Sequence, residues 1–205
     1  MGIMVEHPDT YFGQWLPPRS DLLKELESEA EQQEIPIVGP VVGNLLFLLA
    51  TLQRARCIVE LGTATGYSAI FMGNACKTNP GQLITFEADP EMATRAVRNI
   101  ERADLKRWVS VHCQDALVGL RALDNPVNMI FMDIEKEDYE RALPLCKKKL
   151  LNNGLLVADN TGFQDAHGFN QAIFEDPEWE SVNLWTLLPG HSPENDGLCI
   201  ALKRS

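Results

Sequence analysis

The sequence predicts an α/β fold: a mostly parallel sheet with helices on both faces. Three observations predict it. From Cys57 onward, short apolar runs of strand length alternate with helical patterns. Several of those runs stop at a glycine or a carboxylate. The chain has 205 residues and is 45% hydrophobic, enough for one sizeable core, so one domain is expected over residues 1–205.

The elements follow in order. Residues 1–10 read as loosely ordered, with His7-Pro8 and Pro17-Pro18 as breakers, and residues 1–35 form an N-terminal helical extension. Ser20 can cap a helix from Asp21 to about Gln33, with Leu22, Leu23 and Leu26 as its apolar stripe. A second helix runs from Pro40 to about Arg54. The first strand is Cys57 to Leu61, followed by a helix from Tyr67 to about Lys77 and a turn at Asn79-Pro80-Gly81. Leu83 to Glu87 is the second strand. Pro90 opens the next helix, whose apolar face is Met92, Ala96, Val97 and Ile100. Val109 to Cys113 is a strand, Ala116 to Leu123 a short helix, and Asn128 to Asp133 the fourth strand. A helix from Glu137 to Leu150, a turn at Asn152-Asn153-Gly154, and a fifth strand from Leu155 to Ala158 come next. After a helix from Gln164 to Glu175, strands near Ser181–Leu188 and Leu198–Lys203 close the chain. No helix separates those two, so they are expected to pair antiparallel.

Composition narrows the function classes. A net charge of -11 disfavours a phosphate backbone as partner, so no nucleic acid is expected. The basic cluster Lys147-Lys148-Lys149 reads as a helix end, where cations suit the dipole. The apolar stretch from Val38 to Leu52 is interrupted by Pro40, Gly43 and Asn44 and is too short for a bilayer. It reads as a packed helix, and no membrane partner is expected. Residues 1–10 lack a basic start followed by an apolar run, so no signal peptide is expected. Five cysteines without a CxxC pair read as buried free thiols in a reducing cytoplasm.

In such sheets ligands bind beyond the carboxyl ends of the strands. The first strand runs into Glu60-Leu61-Gly62-Thr63-Ala64-Thr65-Gly66. Its spacing is GxxxG. It lacks the middle glycine of a pyrophosphate-binding GxGxxG turn, and Tyr67 stands where a P-loop needs lysine. Glu60 would repel a phosphate but suits an ammonium group. Those features point to S-adenosylmethionine (SAM), which has an adenosine and an amino-acid tail but no phosphate. The alternative is that Gly62 and Gly66 only turn the chain. Glu87 ends the second strand, where it can accept from a ribose diol, and Asp115 can accept from an adenine amino group or cap the following helix. Asp133 ends the fourth strand and Asp159-Asn160 the fifth. Were these strands neighbours, their ends would lie about 5 Å apart. Three hard oxygen donors would then suit Mg2+, with Ca2+ or Mn2+ as alternatives. The competing reading makes each aspartate a helix cap.

Taken together these segments resemble a known family. Glu60-Leu-Gly-Thr-Ala-Thr-Gly-Tyr-Ser-Ala69 resembles the first motif of the cation-dependent O-methyltransferases, the group containing catechol and caffeoyl-CoA O-methyltransferases. Ile130-Phe-Met-Asp-Ile-Glu-Lys-Glu-Asp-Tyr139 is similar to its Asp-x-Asp-Lys-x-x-Tyr segment. Asp159-Asn160 is similar to its Asp-Asn pair, and Pro189 with Asp196-Gly197 resembles its closing turn. The resemblance runs from about Ile35 to Lys203. It implies a Rossmann-like class I methyltransferase sheet of seven strands with the last antiparallel. It implies SAM contacts at Glu60, Gly62, Ser68, Glu87, Asp115 and Ala116, with Val38, Thr63 and Asp133 added as cofactor neighbours. It implies a divalent metal at Asp133, Asp159 and Asn160, a homodimer, and Lys136 near the acceptor oxygen. Direct methyl transfer to a small hydroxylated, catechol-like acceptor follows, with Asp133 and Lys136 as catalytic candidates and Lys136 either proton acceptor or solvated helix-start lysine. A SAM-binding protein without turnover and a nicotinamide-dependent dehydrogenase are the alternatives. Glu135 departs from the family's second Asp. Pro36-Ile37-Val38 departs from its Met-containing upstream segment. The stretch after Asn160 is shorter than in the plant enzymes, and Gly190 to Asn195 reads as an extra loop.

Overall fold

The computed structural model describes residues 2–205; Met1, part of the N-terminal stretch expected to be loose, lies outside them. The first element is a short helix, α1 (Pro8–Gly13), which corrects the expectation of a loose start from Pro8 on, while residues 2–7 hold no helix or strand. Pro8 acts there as a helix opener at the first turn, where its missing N–H costs nothing. Helix α2 (Asp21–Gln33) begins where expected, with Ser20 Oγ accepting from Leu23 N at 3.3 Å. Helix α3 (Gly39–Leu52) is apolar and buries Val42, Leu46 and Ala50. Gly43 lets it approach α4 (Tyr67–Thr78): a Cβ there would stand 2.6 Å from the Phe71 ring.

The strands are β1 (Cys57–Leu61), β2 (Gln82–Glu87), β3 (Val109–Cys113), β4 (Val127–Met132), β5 (Leu150–Ala158), β6 (Trp179–Leu187) and β7 (Asn195–Lys203). They form one seven-stranded sheet in the order β3-β2-β1-β4-β5-β7-β6. The first five pair in parallel, and β7 runs antiparallel to both β5 and β6. Alternation along each strand divides the core. Ile58, Met129, Phe131, Leu155 and Val157 face the side covered by α3 and α4. Val59, Ile130, Met132, Leu156 and Ala158 face the other side, covered by α6 (Ala116–Ala122), α7 (Tyr139–Lys149) and α8 (His167–Glu175). Burial on both faces explains why the central strands read as continuous apolar runs.

Two further expectations are corrected. Asn152-Asn153-Gly154 is no turn before the fifth strand: β5 starts at Leu150, and the segment makes an irregularity between the pairs Val127↔Leu150 and Met129↔Leu155, with Asn153 at φ 60°. In α5 (Pro90–Arg102), Val97 faces solvent, while Ala93 and Asn99 are buried with Ala96 and Ile100. Asn99 turns inward because its Nδ2 donates to Thr65 O at 2.9 Å, which fastens the helix to the glycine turn. Of the three-lysine cluster, Lys147 pairs with Asp176 and Glu178, and Lys149 donates to the Arg121 and Leu123 carbonyls. No helix among the described residues is long and apolar enough to cross a membrane.

Candidate functional site

The strands β1, β2, β4 and β5, with the start of α6, end around one cavity of about 320 Å³. The turn after β1 shapes it. Gly62 has φ +92°, and a Cβ there would collide with the Asp133 carbonyl. Its N–H donates to Phe86 O at 3.1 Å, while Asp133 N donates to Leu61 O at 2.8 Å, so the turn is held between β2 and β4. Gly66, at φ +89°, then opens α4. Only glycine takes such angles without strain.

At one end of the cavity, Val38, Gly62, Thr63, Ser68, Glu87, Asp115 and Ala116 all lie in the wall. Glu87 Oε2 accepts from the Thr63 and Ala64 amides at 3.1 and 2.7 Å, and its Oε1 accepts from Asp89 N at 2.9 Å. The carboxylate therefore braces the turn and still faces the cavity. Asp115 Oδ1 accepts from Val118 N at 2.8 Å, so it caps α6 while remaining in the wall. Tyr67 also lines the cavity, and its hydroxyl donates to Glu27 Oε1 at 2.6 Å. Glu27 is in turn paired with Arg19 at 3.1 Å, which ties α2 to the turn.

Glu60 is the exception, and its expected place is corrected: it does not line the cavity. It is fully buried beneath the turn, where Ser68 Oγ donates to one carboxylate oxygen at 2.5 Å and Thr85 Oγ1 to the other at 2.6 Å. The parallel register Glu60↔Thr85 places that partner beside it. Burial pushes its pKa up to about 8, against the opposing pull of the two hydroxyls, and the charges of Asp133 and Glu87 add to the rise.

The other end gathers Asp133, Lys136, Asp159 and Asn160, with Glu135 beside them. Strands β4 and β5 are neighbours, and the Tyr139 hydroxyl lies 3.1 Å from Met132 O and 3.0 Å from Asp159 O. It can donate to only one at a time, but either bond holds the two strand ends together. Lys136 Nζ donates to Asp133 Oδ1 and to Ile134 O, both at 3.1 Å. Burial and the charge of Asp159 push the Asp133 carboxyl up to about 6, although Lys136 pulls it down. Asn160 Nδ2 donates to buried Asp196 Oδ2 at 2.6 Å. A carboxylate only accepts, so this bond fixes the amide and leaves Asn160 Oδ1 free as an acceptor. Asp196 is itself held by the Gly162 and Gly197 amides at 3.2 and 2.5 Å.

Asp159 has a partner that the sequence did not reveal. The ring of His191 is buried, and its Nε2 lies 2.9 and 3.1 Å from the two Asp159 oxygens. Burial pulls the imidazole's pKa down, but the hydrogen bond and charge of Asp159 outweigh it, and the net shift is upward. Asp196 carried a signal in its Asp-Gly turn; His191, alone in a loop of Gly, Ser and Pro, carried none. Among the described residues no three His, Cys, Asp or Glu side chains gather as a cation site.

Comparison with known proteins places these features. A sequence model of the O-methyltransferase family matches residues 17–184. A catechol O-methyltransferase of Niastella koreensis is 36% identical over 163 residues, 77% of this chain and 73% of that one. A catechol O-methyltransferase of Mycobacterium tuberculosis is 30% identical over 64% of this chain and 60% of its own length. Among solved structures, an O-methyltransferase from Bacillus cereus in complex with SAH superposes with a TM-score of 0.85 at 27% identity, over 96% of each chain. TomG from Streptomyces achromogenes, an O-methyltransferase of tomaymycin synthesis in complex with SAM, reaches 0.86 at 26% identity over the same shares.

Proposed function

The chain belongs to the O-methyltransferase family, and on that premise we propose that it moves the methyl group of SAM to a hydroxyl of a small catechol-like acceptor, beside a divalent cation. The observation that carries this reading is the union of two groups in one cavity. The glycine turn with Glu87 and Asp115 stands at one end, and Asp133, Lys136, Asp159 and Asn160 stand at the other. The first group suits an adenosine: Glu87 for the ribose diol and Asp115 for the adenine amino group. The second group suits an oxygen nucleophile.

The residues present also fit a cation. Two carboxylates and the free Asn160 oxygen are hard donors, and Lys136 is the one basic side chain in the cavity wall. The upward push on Asp133 by Asp159 marks negative charge that a cation would offset. Asp133, Asp159 and Asn160 would hold it, with Mg2+ preferred and Ca2+ or Mn2+ as alternatives. When bound, it supplies positive charge that favours the ionised form of a phenol, whose ordinary pKa is near 10.

The chain's own part is alignment and proton handling. In the transfer, the carbon–sulfur bond breaks as the carbon–oxygen bond forms, giving S-adenosylhomocysteine and a methyl ether. The hydroxyl proton passes to Lys136 Nζ in its neutral amine form, so the ammonium must first give up a proton to solvent as its ion pair with Asp133 opens. The remaining gain comes from holding oxygen and methyl in line. All five cysteines are free thiols, although Cys113 is exposed and Cys57 half-buried where burial was expected, and the free thiols support a reducing, cytoplasmic setting. Family resemblance supports a homodimer. The test is transfer of labelled methyl to catechol by the wild type and by Lys136→Ala. The wild type is expected to label catechol, and the variant to lose about 10²–10⁴-fold in kcat with unchanged SAM affinity. No labelled catechol would sink the activity; an unchanged Lys136→Ala rate would remove the lysine's role.

A further inference from the structure

The segment 188–194, between β6 and β7, reaches Asp159 through the side chain of His191. His191 Nδ1 lies 2.6 Å from Pro193 O, an atom that only accepts, so that nitrogen carries a hydrogen. At the other edge of the ring, Nε2 meets both oxygens of Asp159, which as a carboxylate also only accepts. The ring thus donates at both ends, spanning its own loop and the end of β5. The loop is firmly seated. His191 N donates to Leu188 O at 2.9 Å, and Ser192 N donates to Ile37 O at 3.2 Å. Gly190 packs on Pro40, and Ser192 stands in the cavity wall beside Ile37.

We propose that His191 is the positioning residue for Asp159, holding the carboxylate from the protein side so that its remaining lone pairs face the cavity and the cation. The proposal rests on the cation-dependent reading of the site. Its physical basis is geometric. Asp159 is 1% exposed, and its backbone is anchored through Asp159 N to Met132 O at 3.0 Å. The His191 ring is the donor that both carboxylate oxygens share. A carboxylate offers about four acceptor positions, so a donor shared between its oxygens leaves positions for a metal. Partners of this kind, one bond removed from the metal, set ligand orientation, and their loss lowers metal affinity by about 10–100-fold. Asn160 is held from β7, its Nδ2 donating to Asp196 Oδ2, so the β6–β7 connection orients Asp159 and the start of β7 orients Asn160.

The experiment is calorimetric titration of Mg2+, with Mn2+ followed by electron paramagnetic resonance, into the wild type, His191→Phe and His191→Gln. Phe keeps the ring volume and removes both donors. Gln restores one neutral donor at the reach of Nε2. The expected result is a cation affinity about 10–100-fold weaker for His191→Phe, within several-fold of wild type for His191→Gln, and SAM affinity unchanged in both. Equal or tighter cation binding by His191→Phe overturns the proposal while leaving the cation site standing. A fall shared by both variants also overturns it, since the donor would then not be the cause. Absence of cation binding by the wild type overturns the site itself, and this proposal with it.

Discussion

Glu60 shows how one residue's role follows from its neighbours. Read along the chain, it stands before the glycine turn as an acid that suits an ammonium group. In the fold it lies inside β1 across from Thr85, and both oxygens are taken by hydroxyls beneath the turn. Register across strands decides this, and register is not written in a local motif. Its pKa, raised from the ordinary 4.5 to about 8, gives a stability prediction. Between those values the folded chain keeps a proton that the unfolded chain releases, so stability falls as pH rises through that window. Above pH 8 the full cost of a buried anion is present, on the order of a few kcal/mol. Thermal melts of the SAM-free chain from pH 5 to 9 should therefore show a steeper decline for wild type than for Glu60→Gln. Parallel curves would contradict a raised carboxyl. Asp133 and Asp159-Asn160 were legible because apolar strand runs stop at them, and Lys136 only through the family resemblance; His191 was not, because a lone loop histidine has no pattern to betray its partner.

Among the elements, helices with capping chemistry were read to within a residue or two. Ser20 and Asp115 cap α2 and α6, and Asp89 accepts from the Glu91 and Met92 amides at 2.7 and 3.0 Å to start α5. Proline and asparagine-glycine signals misled where the backbone had another use for them. Pro8 opens α1, and Asn153-Gly154 makes an irregularity inside β5 where a turn was expected. The turn between β1 and α4 depends on Gly62 twice, for its φ of +92° and for the space beside the Asp133 carbonyl. Gly62→Ala combines backbone strain with a backbone collision, and roughly 2–6 kcal/mol of stability should be lost. Chemical denaturation checks this. A loss below about 1 kcal/mol would show that β1 and β4 need not approach so closely.

The whole molecule brings donor and acceptor chemistry together through sheet order. Because β1 lies between β2 and β4, and β4 pairs with β5, the glycine turn sits between Glu87 on one side and the Asp133 and Asp159-Asn160 ends on the other. Alternating patterns predicted the parallel sheet, but adjacency of β4 and β5 was an assumption until the fold placed them side by side. The closing antiparallel pair adds a partner that no local motif disclosed: its connecting segment supplies His191 to Asp159, while Asp196, at the start of β7, holds Asn160. The central claim is that this one cavity performs cation-dependent methyl transfer. Its most direct test is labelled methyl transfer from SAM to catechol, measured before chelation with EDTA, after it, and after Mg2+ is restored. Activity should vanish on chelation and return with Mg2+; activity that survives complete chelation would contradict the account.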